Sequence, residues 1–143
     1  MTAIATPAVT VVVDVANVMG ARADGWWRDR PGAALRLSRS IADLAVGGIP
    51  AASMPDGLSA PSGWVLVLEG RAREAAAALH DVPPMVRVVV ARGSGDDAIV
   101  AEVASLTGAG APCLVVTADR ELRRRCAALG AGVAGPGWLV EQL

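Results

Sequence analysis

Apolar runs of strand length recur along this chain and contain few polar residues. They occupy residues 9–13, 64–68, 86–91, 113–116 and, more weakly, 131–134. A half-exposed strand alternates apolar and polar side chains, whereas a continuous apolar run is typical of a strand that is covered on both faces. The pattern therefore predicts a mainly parallel sheet of about five strands, buried between layers of helices.

Segments with helical periodicity separate these runs. The predicted helices cover residues 31–46, 71–80, 96–106 and 120–129, and in the last of them Leu122, Cys126 and Leu129 fall on one face. Alternation of strands and helices predicts an α/β fold with right-handed crossovers and helices on both faces of the sheet. Residues 47–63, where Gly, Pro and Ser interrupt every period, are predicted to form a long surface loop.

Length and composition limit the class of protein. A chain of 143 residues is near the commonest size of one domain, so residues 1–143 are treated as a single domain. With 53% hydrophobic residues the chain is expected to fold. Two cysteines, Cys113 and Cys126, lie in a predicted strand and on the apolar face of a predicted helix, which indicates buried free thiols.

Charge and hydropathy indicate the expected partners and cellular location of the protein. The net charge is −1 and all 13 cationic side chains are arginines. This balance argues against coating nucleic acid by bulk electrostatics but leaves room for a local arginine patch. The first ten residues lack a basic leader region and no apolar run reaches membrane-spanning length, so we expect a cytoplasmic protein with no membrane partner. Homo-oligomer formation stays open.

Acids follow the strands at the points where they end. In open α/β sheets, ligands bind outside the carboxyl ends of the strands, so these positions are candidates for a site. The polar residues there are Asp14 and Asn17 after the first strand, Glu69 after the second, Asp96 and Asp97 after the third, and Thr117 and Asp119 after the fourth. Asn17 is the only asparagine in the chain.

These acids have two interpretations. An aspartate at a helix start is ordinarily an N-cap, and this applies to Asp96 and Asp119 taken alone. Asp14, however, directly follows an apolar run, where an unpaired carboxylate is costly. Converging carboxylates repel one another unless a cation is present, and a set of oxygen donors without His or Cys favours Mg²⁺ or Mn²⁺.

Residues and motifs that the sequence lacks exclude several kinds of catalytic chemistry. Without lysine there is no Walker-type phosphate loop, no Schiff base and no lysine general base, and no GxSxG motif is present. His80 is the single histidine and is predicted to be a surface or capping residue. The segment GSGDDA, residues 93–98, formally fits a dinucleotide-binding turn, but two carboxylates in the first helical turn would repel a pyrophosphate. The reaction that these exclusions leave is hydrolysis of a phosphate ester by metal-activated water.

Four segments together resemble the NYN branch of the PIN-like nuclease superfamily, which contains the bacterial YacP-like proteins. They are DVAN at residues 14–17, GDDAIVAEVA at 95–104, LVVTADRELRRR at 114–125 and GAGVAGPGWL at 130–139. The resemblance implies a three-layer α/β/α fold and a ribonuclease that depends on Mg²⁺ or Mn²⁺. This sequence departs from some relatives at Arg123, where they carry a further acid, and at Glu69, where others often have Asp.

The resemblance also implies roles for individual residues. Asp14 and Asp119 would hold the principal ion directly, Asp96 would bind it directly or through water, and Asp97 would support an outer-shell water or a second ion. Asn17 would orient a ligand water or a substrate phosphate. Whether Glu69 takes part is left open.

Substrate contacts are predicted close to these acids. Arg22, Trp26, Trp27, Arg28 and Arg30 follow the first strand, and tryptophans in an arginine-rich loop suit base stacking beside phosphate contacts. Alternatively, the tryptophans seal a helix onto the sheet. Thr117 and Arg120, which flank the last acid, are further predicted substrate contacts.

Three functions follow from these patterns. The first is a ribonuclease that acts on single-stranded or structured RNA. The second is a metal-dependent nucleoside triphosphate pyrophosphohydrolase, in which Trp26 and Trp27 clamp a base. The third is a catalytically weak RNA-binding module in which the acids only cap helices.

Overall fold

The computed structural model of the protein describes residues 8–22 and 24–143. Residues 1–7, on which the expectation about a leader region partly depends, and residue 23 lie outside the described part. The five strands form one sheet in which every neighbouring pair is parallel. They are β1 (Val9–Asp14), β2 (Pro61–Leu68), β3 (Val86–Val90), β4 (Cys113–Val116) and β5 (Gly132–Ala134). The predicted parallel sheet is confirmed.

In residues 8–22 and 24–143, five α-helices pack on the sheet. They are α1 (Val15–Gly20), α2 (Arg30–Gly47), α3 (Gly95–Gly108), α4 (Arg120–Ala128) and α5 (Pro136–Gln142). The predicted helices 31–46, 96–106 and 120–129 are confirmed with small shifts at their ends. Neither α1 nor α5 was predicted. The six residues of α1 directly follow the apolar run of β1, and the seven residues of α5 begin with Pro136 and Gly137, a pair that is typical of a turn.

Two other segments differ from the prediction. Residues 71–80 were predicted as an α-helix, but Gly70–Leu79 forms a 3₁₀ helix. Its buried residues Ala72, Ala75 and Leu79 are spaced by three and four, which is the spacing of an α-helical face, so the sequence pattern did not indicate the 3₁₀ helix. The predicted loop 47–63 contains two short 3₁₀ turns, Ala51–Ser53 and Pro55–Gly57, and β2 already begins at Pro61.

Alternating residues of the strands pack into two hydrophobic cores, one on each face of the sheet. Val11, Val13 and Leu66 belong to a core shared with α1, α2, α5 and the Gly70–Leu79 helix. Val12 and Val115 belong to a second core shared with α3 and α4. The sheet is therefore covered on both faces, as the continuous apolar runs predicted, and the architecture is a three-layer α/β/α sandwich.

The strand order places a crevice at one edge of the sheet. The order is β3-β2-β1-β4-β5, so the chain leaves β1 toward β2 and β3 and then returns to the other side of β1 as β4. This reversal between β1 and β4 is the topological switch point at which open α/β sheets bind ligands. Val13 pairs in register with Val116, so the carboxyl ends of β1 and β4 reach the crevice side by side.

Both cysteines, Cys113 and Cys126, are buried and free, as predicted. Over residues 8–22 and 24–143, no helix is both long enough and apolar enough to cross a membrane.

Candidate active site

Asp14 lies at the switch point, where β1 ends and α1 begins. Its side chain is buried, and the residue is only 5% exposed. Its Oδ2 accepts a hydrogen bond from the Thr117 hydroxyl at 3.0 Å, and its Oδ1 accepts from the backbone N–H of Asn17 at 3.4 Å. These two bonds fix the carboxylate in place without supplying a positive charge.

Asn17 connects the two elements that meet at the switch point. Its amide oxygen accepts a hydrogen bond from the backbone N–H of Ala118 at 2.8 Å. That oxygen already accepts one of the two hydrogen bonds it can take, whereas the NH₂ group donates to no acceptor among the described residues. An NH₂ group donates hydrogen bonds, so it suits a phosphate oxygen or a water and cannot bind a cation.

Thr117 and Asp119 continue the site from β4 into α4. The buried Thr117 hydroxyl donates to Asp14 and accepts from the backbone N–H of Asp119 at 3.2 Å. Asp119 is the N-cap of α4, since its Oδ1 accepts from the backbone N–H of Leu122 at 3.0 Å. The capping interpretation of Asp119 is thus correct, yet its second carboxylate oxygen, Oδ2, is not used by the cap.

Glu69 joins the site through the start of α3. One oxygen of its carboxylate accepts the backbone N–H of Gly95. A Cβ atom on residue 95 would lie only 2.6 Å from that carboxylate, so with any larger residue here the Glu69 side chain would have to move. The sequence left the part played by Glu69 open; the signal for its position was the glycine directly before the Asp96-Asp97 pair.

The two neighbouring acids of α3 differ in their surroundings. Asp96 is half-buried on the side of Glu69 and Asp119. The side chain of Asp97 is 74% exposed and forms an ion pair with Arg125 of α4 at 3.0 Å. The N-cap of α3 is Ser94, which accepts from the backbone N–H of Asp97 at 3.4 Å, so neither acid caps this helix.

The charges of the acids act on one another. Burial raises the pKa of Asp14 to about 6, against the lowering effect of its hydrogen bonds with Thr117 and Asn17, and the charges of Glu69 and Asp96 raise it further. Burial, followed by the charges of Asp119 and Glu69, also raises the pKa of Asp96. Glu69 and Asp96 therefore act on Asp14, and Glu69 and Asp119 act on Asp96.

The donor chemistry of this cluster fits a hard divalent cation. Carboxylate oxygens are the ligands that Mg²⁺ and Mn²⁺ prefer, and a cation would offset the cost of ionising Asp14. In the described part of the chain, no three or more His, Cys, Asp or Glu side chains are drawn together closely enough to form a ready-made ligand set. The donor atoms of the site thus suit a cation, but they are not already arranged as a coordination shell.

The predicted substrate residues form a surface beside α1. Trp26 and Trp27 open the 3₁₀ turn Trp26–Arg28, with ring centroids 6.0 Å apart and ring planes at 90°. Trp26 packs partly against the core, whereas Trp27 is 58% exposed. The guanidinium groups of Arg28 and Arg30 lie 5.8 and 5.5 Å from the centroids of Trp27 and Trp26, respectively. The sealing interpretation thus describes Trp26 in part, and Trp27 is free to stack on a ligand.

The other two predicted arginines have different surroundings. Arg22 follows α1 and is half-buried, and among the described residues its Nη1 is buried without a hydrogen-bond partner. Arg120 is exposed in the first turn of α4, next to Asp119. Trp138 is a packing anchor, because its indole N–H donates to the carbonyl of Ser53 at 2.9 Å.

Comparison with known proteins extends the description of the fold. No protein-family model matches the chain, and no curated protein sequence matches it. Among solved structures, it is similar to the crystal structure of a mutant of Rae1 (YacP) from Bacillus subtilis, with a TM-score of 0.65 and 16% sequence identity. The match covers 93% of this chain and 74% of the other. At this identity the likeness concerns the fold, and the chain has a YacP-like fold.

Proposed function

We propose that the protein is a ribonuclease that hydrolyses phosphodiester bonds of RNA and depends on Mg²⁺ or Mn²⁺. The observation that carries this proposal is the buried carboxylate of Asp14 at the topological switch point, with Glu69 and Asp96 close enough to act on its charge and Asp119 close enough to act on that of Asp96. Helix capping accounts for Asp14 and Asp119, which cap α1 and α4, but not for Glu69 and Asp96, whose side chains cap no helix. The YacP-like fold supports the proposal, because YacP-like proteins are the group whose motifs the sequence resembles.

The side chains suggest a division of roles. Asp14 and Asp119 each come from a switch-point strand end and would hold the principal ion, with Asp96 beside them. When bound, the ion would neutralise the carboxylates and supply an activated water. The Asn17 NH₂ group would donate to a phosphate oxygen, and the Thr117 hydroxyl keeps Asp14 oriented. Asp97 would act at the rim, since its carboxylate contacts Arg125.

RNA is favoured over a free nucleotide by the arrangement of the tryptophans. A clamp for a single base needs two facing rings, whereas Trp26 and Trp27 meet edge to face at 90°. One exposed ring flanked by arginines suits stacking of a base in a longer strand, whose phosphates contact the neighbouring guanidinium groups.

The test combines stability with activity. Thermal melts of the wild type, Asp14→Ala and the control Asp43→Ala would be recorded with Mn²⁺, with Mg²⁺ and with chelator, beside digestion of a labelled single-stranded RNA. Asp43 is an exposed acid on α2 and serves as the matched control. We expect metal to raise the melting temperature and permit cleavage in the wild type and in Asp43→Ala, and to do neither in Asp14→Ala.

Two results would contradict the proposal. If neither metal changes stability and the RNA stays intact, the acids are structural and the RNA-binding module is the better description. If nucleoside triphosphates are hydrolysed while RNA is not, the pyrophosphohydrolase takes its place.

A further inference from the structure

A cavity of about 320 Å³ lies beside the acid cluster. Its walls include Ala16 of α1, Arg30 at the start of α2, Glu69, Gly70 and Arg71 after β2, and Gly93 before α3. Ala16 follows Asp14 by two residues, and Glu69 belongs both to this cavity and to the acid cluster. The cavity therefore adjoins the candidate active site on its β2 side.

The charged groups of the cavity favour an anion. Two guanidinium groups, Arg30 and Arg71, oppose one carboxylate, that of Glu69, and one oxygen of that carboxylate is already bound to the Gly95 N–H. Within the part of the chain that the structure describes, neither Arg30 nor Arg71 forms an ion pair with an acidic side chain. Both cations are thus available to a ligand.

Arg30 is also held in position. Its guanidinium lies over the Trp26 ring at 5.5 Å from the centroid, and Trp26 packs against the core. A stacked guanidinium loses less side-chain freedom when it binds an oxyanion, and its planar set of N–H donors matches the oxygens of a phosphate.

We propose that this cavity is a phosphate subsite, in which Arg30 and Arg71 bind a backbone phosphate of single-stranded RNA next to the phosphate that is cleaved. The proposal deepens the ribonuclease function and rests on it for the identity of the ligand. The strand would run from the exposed ring of Trp27, across Arg30 and Arg71, to the carboxylates at the switch point. Sequence reasoning did not identify Arg71, since it follows a strand as one of many scattered arginines.

Binding in chelator tests the subsite separately from cleavage. A fluorescent single-stranded RNA would be titrated at several salt concentrations with the wild type, Arg71→Gln, and Arg30→Gln/Arg71→Gln. The control is Arg39→Gln/Arg124→Gln, which removes the same charge from exposed arginines outside the cavity. Thermal melts would first check that each variant is folded. If loss of Arg30 disturbs Trp26, the comparison would use Arg71→Gln alone.

The expected result is a several-fold weaker binding in the cavity variants and a shallower dependence of log K on log salt. The slope should fall by about 0.7 for each lost phosphate contact with a single strand. If the cavity variants bind like the control, or if the wild type does not bind the RNA at low salt, the subsite is disproved. If binding falls as expected but the wild type never cleaves RNA with Mn²⁺ or Mg²⁺, the subsite stands and the ribonuclease proposal fails.

Discussion

The burial of Asp14 lowers the stability of the folded protein when its carboxylate is ionised. Its carboxylate is buried, receives two hydrogen bonds from neutral donors and lies near other acids. In the unfolded chain the same carboxylate is hydrated and its pKa is close to 3.8. Ionising Asp14 is therefore easier in the unfolded chain than in the folded protein.

This difference predicts a pH-dependent stability. Because the folded pKa is raised to about 6, the contribution of Asp14 to stability is complete below pH 4 and is lost as the pH rises through about 6. The loss amounts to about 3 kcal/mol at neutral pH, since each pKa unit corresponds to about 1.4 kcal/mol. In chelator, Asp14→Asn should therefore be more stable than the wild type at pH 8 and lose this advantage at pH 4.

Urea unfolding of both proteins between pH 4 and pH 8, in chelator, measures the effect. The quantity of interest is the difference in the free energy of unfolding between the two proteins, because Asp96 and other acids titrate in both. A difference that stays constant across this pH range would show that Asp14 ionises as easily in the folded protein as in the unfolded chain.

At the level of single residues, the sequence identified the position of Asp14 but not its partners. A carboxylate directly after an apolar run was enough to indicate a buried acid. The hydrogen bonds from Thr117 to Asp14 and from the backbone N–H of Ala118 to Asn17 depend on the pairing of β1 with β4, which brings together residues about a hundred positions apart. The ion pair of Asp97 with Arg125 likewise depends on how α3 packs against α4, which the sequence does not show.

The start of α3 is the element on which the site depends most. Gly95 lets the backbone approach Glu69, and its N–H binds the carboxylate. An added methyl group on residue 95 would meet the carboxylate of Glu69 and force it away. By contrast, a Cβ atom at Gly93 would meet no atom within 4 Å.

Gly95→Ala should therefore destabilise the protein, with Gly93→Ala as the control. We expect a loss of about 1–3 kcal/mol for Gly95→Ala, because the Glu69 carboxylate loses a partner in a half-buried place, and a change within about 0.5 kcal/mol for Gly93→Ala. Chemical unfolding of both variants and the wild type at pH 7 gives the two differences. Equal stability of the two variants would mean that Glu69 moves aside at no cost.

Helices long enough to show several turns of apolar periodicity could be predicted from the sequence, whereas the short elements could not. The helices α2, α3 and α4 have capping residues and apolar faces that the sequence shows. The six residues of α1 follow β1 without a break, so their apolar side chains are indistinguishable from a continued strand. The 3₁₀ helix Gly70–Leu79 follows from its packing against α2 and β3, which no local pattern reveals.

The central strands of the sheet should be more stable than its outer strands. In β1, Val11, Val12 and Val13 are fully buried and pair with strands on both sides. The outer strand β3 has one unpaired edge, and its last residue, Val90, is 45% exposed. Opening of an edge strand breaks fewer contacts than opening of the central one.

Hydrogen exchange should follow this order. Under native conditions, backbone amides of β1 and its neighbours β2 and β4 should exchange most slowly, and those of β3 and β5 faster. Exchange followed by mass spectrometry or NMR at pH 7 measures the protection of each strand. If β3 amides exchange as slowly as those of β1, the outer edge is covered in solution, and the oligomeric state should then be determined.

For the whole molecule, the α/β class and the common edge of the acids could be predicted, because parallel strands deliver their carboxyl ends to the same side. The order of the strands could not, since the sequence gives no direct measure of which strands are neighbours. That order makes β1 and β4 adjacent and thereby creates the crevice beside Asp14.

The uneven burial of the tryptophans gives the molecule a built-in optical reporter. Trp64, in strand β2, is 2% exposed, Trp27 is 58% exposed, and the chain has no tyrosine. Intrinsic fluorescence therefore comes from indoles alone, and a dissolved quencher such as acrylamide reaches Trp27 while Trp64 is shielded. Emission from the shielded ring reports on folding, and emission from the accessible ring reports on whatever covers the arginine-rich surface.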